Sequence, residues 1–456
     1  MSAEPSTDSS THDASTGEHP EVISLLSELI RFDTTNFGGG RSHGETECAE
    51  WVAEKLREVG WEPQLLHRDD SPDRGNVVLR VPGTEPELPG LVVQGHLDVV
   101  PAEPEQWSSD PFSGEVRDGF VHGRGAVDMK DACAMTLATL LDWGRNGVRP
   151  RRDIVAAFVA DEEDAGAWGA EWLVDEHADL FAGCGGSIGE SGGAGRPVTA
   201  ADGSSVRLYP IAAGERGTMH IRLTARGTSG HGSRPRPDNA VRVLTETVLR
   251  IASHQWPVHL SEVVRAEIEQ TCAALGHDCD LSTEDGILAA VAALSEVSEV
   301  LRYTIRGSAT PTMLSAGYKV NVVPGVATAE CDVRCPPGYD EQMHRVLGEL
   351  IGPEVEWEYS SRQAPVQSPV DGEWFAAMRA AIERHDPEAK VVPYCMGGGT
   401  DSKAFARLGI QTYGFTPAEP DPQGRFGVGM HGIDERIPVA SVVTGQRILD
   451  DFLRTV

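Results

Sequence analysis

Apolar residues recur every three to four positions in two segments near the start of the chain, 22–30 and 48–59, and the second segment ends at Gly60. This spacing predicts two helices. Four short apolar runs follow, at 76–81, 91–100, 154–159 and around Ile188. These runs are typical of strands, and a long helical pattern over 130–143 separates the second run from the third. Strands that alternate with helices predict a mainly parallel sheet covered on both faces.

The pattern changes near Gly214, where positions 219–225 alternate between apolar and polar residues and a helix follows from about Asp238. A half-exposed sheet with helices on one face indicates a separate small α+β domain. Further strands of this domain are predicted at 319–322 and 328–333. The stretch 191–205 is rich in Gly, Ala and Ser and is predicted to be a linker into the domain. Segment 256–311 has no clear pattern, and we interpret it as an elaboration of the small domain.

Composition and net charge exclude some classes of binding partner, above all polyanions. A length of 456 residues is typical of two or three domains, and 39 basic against 70 acidic residues give a formal net charge of −31. This charge repels phosphate backbones and anionic lipid head groups, so nucleic acid and membrane surfaces are not expected as partners. Residues 1–18 are almost entirely polar, which predicts a flexible tail without a secretory signal. Eight scattered cysteines without a CxxC pair favour reduced thiols and a cytoplasmic location.

Acidic and histidine residues follow several predicted strands, at the edge where open α/β sheets build their sites. His96 and Asp98 are two residues apart at the end of the second run. Asp98 can therefore contact the ring of His96 and fix its tautomer while the other ring nitrogen binds a metal. A structural His–Asp pair is the alternative. Asp128 precedes the predicted helix over 130–143, where it is either a helix cap or a carboxylate that bridges two cations.

Three further segments complete the candidate set. Glu162 and Glu163 follow the third run within the sequence DEED. This run of acids is either a solvated loop or a pair in which one side chain binds metal while the other takes a proton from water. Glu190 follows the fourth run, and His431 stands near the end of the chain. Together these histidines and carboxylates suit Zn²⁺, and Co²⁺ or Mn²⁺ also accept such ligands.

Seven motifs stand in order along the chain: GHLDVVP, GRGAVDMKD, DEED, GES, SGHGSRP, GGGTDSK and MHGIDERIP. In this order and at these spacings they resemble the M20 metallopeptidases, the superfamily of acetylornithine deacetylase, succinyl-diaminopimelate desuccinylase, aminoacylase and glutamate carboxypeptidase. The resemblance implies an α/β fold of the zinc-peptidase type, with a mixed sheet covered by helices. It also implies an inserted, ferredoxin-like α+β lid domain through which a homodimer forms. The expected domains are two catalytic segments, 19–213 and 338–456, around a lid at 214–337.

The resemblance implies a role for each residue of the candidate metal site. The residues that match ligands of two Zn²⁺ ions are His96, Asp128, Glu163, Glu190 and His431. Asp128 matches the bridging carboxylate, while His96 and Glu163 match terminal ligands of different ions. Asp98 matches the acid behind His96, and Glu162 matches the general base and acid.

Residues of the lid and of a glycine-rich loop match substrate-binding positions of the family. His231 matches a histidine that the neighbouring subunit supplies to the substrate carbonyl, and a loop histidine bonded to its own backbone is the alternative. Asn321 and Arg334 match polar positions that hold a substrate carboxylate, although Arg334 also suits a surface strand. The matching residues of the loop are Gly398, Gly399 and Thr400. Backbone N–H groups of such a loop suit an anion, and an ordinary turn is the alternative.

These residues predict hydrolysis of an amide bond in a small substrate with a free carboxylate, either a dipeptide or an N-acyl amino acid. Glu162 would take the proton of water, and the metals with His231 would stabilise the oxyanion. A desuccinylase role is less favoured because segment 256–311 is longer than that compact enzyme needs. Two other function classes stay open: a catalytically silent binding protein of the same fold, and an ester or carbamoyl hydrolase on the same metal site.

Overall fold

The computed structural model describes residues 19–419 and 429–456, and the predicted tail over 1–18 lies outside them. The helices of the described chain are α1 (Glu21–Arg31), α2 (Thr46–Glu58), α3 (Lys130–Asn146), α4 (Ala170–Glu176), α5 (Ala240–Ser253), α6 (Glu262–Leu275), α7 (Glu284–Ala293), α8 (Leu301–Thr304), α9 (Asp340–Ile351), α10 (Glu373–His385), α11 (Ser402–Ala406) and α12 (Val439–Thr455). The strands are β1 (Asn36–Gly38), β2 (Arg41–Ser42), β3 (Gln64–Arg68), β4 (Ser71–Val81), β5 (Gly90–His96), β6 (Glu115–Arg117), β7 (Phe120–His122), β8 (Ile154–Val159), β9 (Cys184–Gly189), β10 (Arg196–Thr199), β11 (Ser205–Glu215), β12 (Gly217–Thr218), β13 (Ile221–Arg226), β14 (Gly230–His231), β15 (Ser308–Ala316), β16 (Val322–Val323), β17 (Val326–Cys335), β18 (Val355–Tyr359), β19 (Val366–Gln367), β20 (Lys390–Met396), β21 (Gln411–Gly414) and β22 (Arg436–Pro438).

Ten strands of the described chain form the larger sheet, in the order β10-β11-β21-β9-β5-β8-β4-β3, with β19 and β20 also paired to β11. The four strands predicted from apolar runs are confirmed as β4, β5, β8 and β9. β9, β5 and β8 are parallel neighbours. β3 and β4 form an antiparallel pair, and β4 runs antiparallel to β8. The sheet is therefore mixed, as the family resemblance implies, rather than mainly parallel.

Helices cover the larger sheet because each presents apolar side chains to it. The three predicted helices near the start of the chain are confirmed as α1, α2 and α3. Leu26, Leu29 and Ile30 of α1 are fully buried, and each such side chain contributes roughly 1.5–3 kcal/mol to stability. The buried Nζ of Lys130 donates hydrogen bonds to the carbonyl oxygens of Leu29 (2.9 Å) and Phe32 (2.8 Å). The start of α3 is thereby tied to the end of α1.

A smaller sheet contains β12, β13, β15, β17 and β18, and its core includes side chains of α5 and α9. β13 lies between β17 and β18, so that Leu223 pairs with both Ala329 and Trp357. This is the predicted α+β lid. The predicted exit at Pro337 is too early, however, because α9 and β18 follow it and belong to this unit. Leu347 of α9 is fully buried in the core of the smaller sheet.

Two other expectations about domain boundaries are wrong. Segment 256–311 is not mainly an elaboration of the lid, because α6, α7 and α8 bury Ile268, Val291 and Leu301 in the core of the larger sheet. Its first residue, Trp256, is buried in the core of the lid, and its last residues join the lid through β15. The stretch 191–205 is not simply a linker, since β10 pairs antiparallel with β11. Periodicity predicts a helix or strand but does not show which of two cores it covers. No helix of the described chain is long and apolar enough to cross a membrane.

Candidate metal centre

The carboxyl ends of three neighbouring parallel strands meet at one edge of the larger sheet. His96 is the last residue of β5, Glu162 and Glu163 open the 3₁₀ turn after β8, and Glu190 follows β9. Because β5 lies between β8 and β9, these four side chains converge. Asp128 joins them from the turn before α3. The strand edge inferred from the sequence is therefore where the candidate residues lie.

Asp128 faces two histidines through its two oxygens. Oδ1 lies 3.1 Å from Nε2 of His96, and Oδ2 lies 2.9 Å from Nε2 of His431. The same nitrogen of His431 is 3.2 Å from Oε1 of Glu163. A carboxylate placed in this way, with one oxygen toward each imidazole, can bridge two cations.

The predicted ligands form two groups of three that share one carboxylate. The first group is His96, Asp128 and Glu190, and the second is Asp128, Glu163 and His431. Within each group the ligand atoms lie within 4.8 Å of one another. Three protein ligands that leave a position open for water or substrate are typical of a catalytic zinc site. The imidazole nitrogens and carboxylate oxygens therefore fit two divalent cations.

Acidic charge is concentrated in this cluster, and within the described residues no Lys or Arg forms an ion pair with its carboxylates. Burial and the nearby Glu190 raise the pKa of Glu162 well above its usual range. Burial and the charge of Asp128 do the same to the pKa of Glu190. Burial also opposes charge on Asp128, but hydrogen bonds from His431 and His96 outweigh it and hold this pKa below its usual range. Bound cations would favour the ionised form of all these acids.

Asp98 holds both the histidine and the acidic turn. Its backbone carbonyl oxygen lies 2.9 Å from Nδ1 of His96, and its Oδ1 lies 3.5 Å from the same nitrogen. The contact predicted for the carboxylate is thus made more closely by the backbone. The carboxylate instead accepts hydrogen bonds from the N–H groups of Glu162 (3.1 Å) and Glu163 (3.2 Å). Asp98 therefore fixes the position of the predicted base and of one predicted ligand.

A cavity of about 180 Å³ lies beside Glu162, between the two units of the fold. From the lid it is lined by Thr218, Gln363 and Arg334, and from the larger unit by Gly399 and Thr400. Three of the substrate-binding residues expected from the sequence therefore share a cavity with the expected base. A small substrate in this cavity would touch both units.

Different contacts constrain the polar groups around this cavity. Arg334 donates to both carboxylate oxygens of Asp332 and to Oγ1 of Thr218, which leaves two of its five N–H bonds without a partner among the described residues. Thr400 is less free, because its N–H and hydroxyl both donate to Glu215, at 3.0 and 2.7 Å. Gly398 has open space where a Cβ would stand. Arg334 therefore keeps donors that have no partner among the described residues, whereas the Thr400 hydroxyl is already engaged.

His231 and Asn321 lie together on the lid, apart from this cavity. β14 and β16 pair so that His231 is opposite Val322, and the carbonyl oxygen of Asn321 accepts the N–H of Gly232 at 2.9 Å. Both side chains are exposed. Nδ1 of His231 accepts the N–H of Ser233 at 3.2 Å and lies 2.8 Å from the hydroxyl of the same residue, which leaves Nε2 as the ring nitrogen available to another partner. Within the described residues of one chain, His231 makes no contact with the metal-binding cluster.

Sequence reasoning missed a second layer behind the acidic turn. The side-chain amide of Asn36 donates to Asp98 (2.9 Å) and to Asp161 (3.0 Å), and Arg74 donates to Asp161 (2.8 Å) and Glu45 (2.7 Å). All five side chains are almost fully buried. No local pattern marks Asn36 or Arg74, because their partners come from other elements.

Comparison with known proteins places this geometry in a family. A model of peptidase family M20/M25/M40 matches residues 92–455. The chain is 27% identical over 454 residues to the N-fatty-acyl-amino acid synthase/hydrolase PM20D1 of Bos taurus, covering 94% of this chain and 86% of the relative. It is also 27% identical over 451 residues to aminoacylase-1 of Sus scrofa, covering 96% and 95% of the two chains.

The fold is also similar to that of solved structures of M20 peptidases. The crystal structure of an M20 family metallo-carboxypeptidase, Sso-CP2 from Sulfolobus solfataricus, superposes with a TM-score of 0.68 at 18% identity, covering 95% of this chain and 99% of that one. At this identity the likeness concerns the fold, with its catalytic unit and lid. The family model spans most of the chain and includes every segment of the metal-binding cluster, so the chain belongs to peptidase family M20 and is a hydrolase of that family.

Proposed function

We propose that this protein is a two-metal hydrolase that cleaves an amide bond in a small substrate with a free carboxylate. The observation that carries the proposal is the pair of three-ligand groups that share Asp128, next to Glu162 and a cavity that contains Arg334. Zn²⁺ is the preferred ion for such mixed nitrogen and oxygen ligands, and Co²⁺ or Mn²⁺ would also fit. His96 and Glu190 would complete one site, and Glu163 and His431 the other.

Two cations held there would supply Lewis acidity, which lowers the pKa of water and polarises a carbonyl group. Glu162 supplies the proton transfer. Its Oε2 lies 3.9 Å from Nε2 of His96, at the cluster, and the side chain also lines the cavity. From this position it takes a proton from the attacking water and returns it to the leaving amine. Asp98 keeps Glu162 in place through the backbone N–H contact.

An N-acyl amino acid is the favoured substrate, with a dipeptide as the second choice. The two relatives above are named for N-fatty-acyl-amino acid and aminoacylase activities. The free N–H bonds of Arg334 and the backbone of Gly398 and Gly399 suit the carboxylate that both substrate types carry. Neither nucleic acid nor a membrane is proposed as a partner, given the net charge of −31.

We further propose a homodimer in which His231 of one subunit reaches the cavity of the other. The Nε2 donor of His231 is exposed and suits a developing oxyanion, and Asn321 would arrive with it. Large apolar side chains are exposed nearby on the lid: Met313 (66%), Leu314 (66%), Tyr318 (85%) and Val320 (102%). Exposed apolar groups of this kind mark an association surface. The eight unpaired cysteines support a cytoplasmic location.

The first experiment measures the metal content of the purified protein and its activity on matched amide, ester and carbamoyl substrates, with metal removed and restored. We expect close to two metals per chain and metal-dependent amide cleavage. The variant Glu162→Gln should keep both metals and lose at least 100-fold in kcat, while the exposed Glu176→Gln serves as the control. Near-normal activity of Glu162→Gln with both metals bound would remove Glu162 from its role. Two metals without any cleavage would point to a silent binding protein, and cleavage of only the ester or carbamoyl substrate would point to that reaction class.

Subunit complementation tests the role of His231. Glu162→Gln and His231→Ala homodimers should each be nearly inactive, whereas a mixture allowed to exchange subunits should regain activity. In a mixed dimer, one cavity has an intact Glu162 and receives an intact His231. No recovery in dimers shown to exchange would contradict a residue supplied across the interface.

A further inference from the structure

The buried ion pair between Arg124 and Glu435 joins two segments that are far apart in the sequence. One segment carries the proposed ligand Asp128, and the other carries His431. Glu435 is fully buried, and Oε2 of its carboxylate accepts hydrogen bonds from the guanidinium of Arg124 and from the N–H of Gly125 (3.2 Å). Oε1 accepts the N–H groups of Val127 (2.8 Å) and Asp128 (3.2 Å). A single carboxylate thus gathers the turn that ends at Asp128.

Arg124 ties the same turn to the segment that carries His431. Its Nη2 donates to the carbonyl oxygen of Gly432 (2.9 Å) and to that of Pro101 (3.3 Å). The N–H of Gly123 also donates to the backbone oxygen of Glu435 (3.0 Å). Arg124 is 3% exposed, so its guanidinium is almost entirely shielded from water. The Asp128 turn and the His431 segment are therefore fixed to each other by Arg124 and Glu435.

We propose that Arg124 and Glu435 are positioning residues that set the distance between Asp128 and His431. They thereby define the cation site formed by Asp128, Glu163 and His431. This inference rests on the proposed function only in taking these three residues as ligands. Neither Arg124 nor Glu435 lies in a group of candidate ligands of the described chain, so both act through the backbone of residues that do.

Glu435 can hold the Asp128 turn and Arg124 at the same time because its carboxylate is negatively charged and offers two acceptor oxygens. Both of its oxygens act as acceptors, and each receives two hydrogen bonds. A glutamine has one oxygen and one NH₂ group, so in either orientation its NH₂ group faces two donors. If it faces Val127 and Asp128, the turn loses its anchor. If it faces Arg124, the link toward Gly432 and His431 is disturbed.

The test is a titration of the metal-free full-length protein with Co²⁺, followed by visible absorption and by equilibrium dialysis, without any assay of turnover. We expect the wild type to bind two ions. Glu435→Gln should weaken the second ion, at Asp128, Glu163 and His431, by 10- to 100-fold, the range found when the partners of metal ligands are altered. The first ion should lose less affinity, because it shares only Asp128 with that site and His96 and Glu190 make no bond to Glu435. Asp434→Asn is the matched control. Asp434 lies next to Glu435 in the same segment. Its carboxylate accepts hydrogen bonds from the N–H and hydroxyl of Ser108 and makes no hydrogen bond to the Asp128 turn.

If the substitution only loosened the packing of this segment, Glu435→Gln and Asp434→Asn should lose affinity for the second ion to a similar extent. If Glu435 is a positioning residue, only Glu435→Gln should lose that affinity. Arg124→Lys provides a second test should Glu435→Gln fail to fold. Arg124 reaches Glu435 through Nη1 and Gly432 through Nη2. Lysine keeps the charge, but its single nitrogen cannot occupy both positions, so at least one of these two bonds is weakened. The second ion should again bind more weakly, by about 5-fold or more. Unchanged binding of both ions to a folded Glu435→Gln or Arg124→Lys protein overturns the proposal and leaves the hydrolase intact. If the wild type binds two ions but cleaves no amide, the proposed hydrolase function is overturned and the positioning role stands. If the wild type binds no ion, both proposals are overturned.

Discussion

Replacing Glu267 by glutamine measures what a buried carboxylate costs the fold away from the metal-binding cluster. Glu267 is 3% exposed and lines a cavity of about 310 Å³ between α6 and β20. Its Oε2 accepts the N–H of Cys395 (2.9 Å), and its Oε1 accepts the hydroxyl of Ser298 (3.1 Å). Burial is the largest influence on this group and raises its pKa from 4.5 to about 8.

The direction of the pH effect follows from this shift. A carboxyl whose pKa is higher in the folded chain than in the unfolded chain binds its proton more tightly when folded. Stability is therefore lost as the pH rises from 4.5 to about 8. At 1.36 kcal/mol per pKa unit, the loss reaches about 5 kcal/mol above pH 8. Glutamine keeps an acceptor for Cys395 and a donor for Ser298 but has no charge to bury.

We expect Glu267→Gln to unfold much like the wild type at pH 5 and to be more stable than the wild type at pH 9, by up to about 5 kcal/mol. Urea unfolding followed by tryptophan fluorescence at both pH values measures the difference. Glu269→Gln, two residues along the same helix at an exposed position, controls for a change of net charge. A stability difference between Glu267→Gln and the wild type that is the same at pH 5 and pH 9 would refute the reasoning.

Two further substitutions test the layer behind the acidic turn and the anion-binding part of the cavity. Asn36→Ala removes the donor shared by Asp98 and Asp161, so urea unfolding should show a loss of roughly 3 kcal/mol, at about 1.5 kcal/mol for each hydrogen bond to a charged group. Unchanged stability would mean that water replaces the amide without cost. Arg334→Met should raise KM for a carboxylate substrate 10-fold or more with little change in kcat, since it removes binding common to ground and transition states. Arg222→Met, which breaks an exposed pair with Glu330 on the same sheet, is the control, and equal KM values for the two variants would contradict the assignment.

Local sequence signals pointed to candidate ligands that the fold brings close together, because most of them follow an element with a clear pattern of its own. His96 ends a fully buried strand, and Glu162 follows another. Glu190 follows β9, whose last four residues are buried. The order of the strands in the sheet then decides that these side chains meet, and parallel neighbours share one carboxyl edge. A pattern along the chain therefore carried information about proximity in space.

The rest was not predictable from the sequence, for a physical reason. Ile268 and Leu301 have apolar neighbours that suit the lid core as well as the larger core, so periodicity did not show that α6 and α8 cover the larger sheet. Asn36 and Arg74 each act through two hydrogen bonds to residues of other segments, and such bonds produce no periodic pattern in the sequence. Leu347 lies beyond a Pro-Pro-Gly turn that looks like a domain exit, although the chain only turns there before it returns to the lid.

The anchoring contacts also explain how the site tolerates an unfavourable backbone. Asp161, Ser191 and His431 are non-glycine residues with positive φ, at 69°, 69° and 56°, a conformation that L residues adopt at a cost of order 1–3 kcal/mol. Each of these positions adjoins or is a proposed ligand or base, and each is held by a distant segment. Arg74 binds the carboxylate of Asp161, and the hydroxyl of Tyr394 donates to the carbonyl oxygen of Ser191 (2.9 Å). The His431 segment is held through Gly432 and the buried carboxylate that follows it. Removing an anchor lets a strained turn relax, so the expected damage is a displaced ligand before it is an unfolded chain.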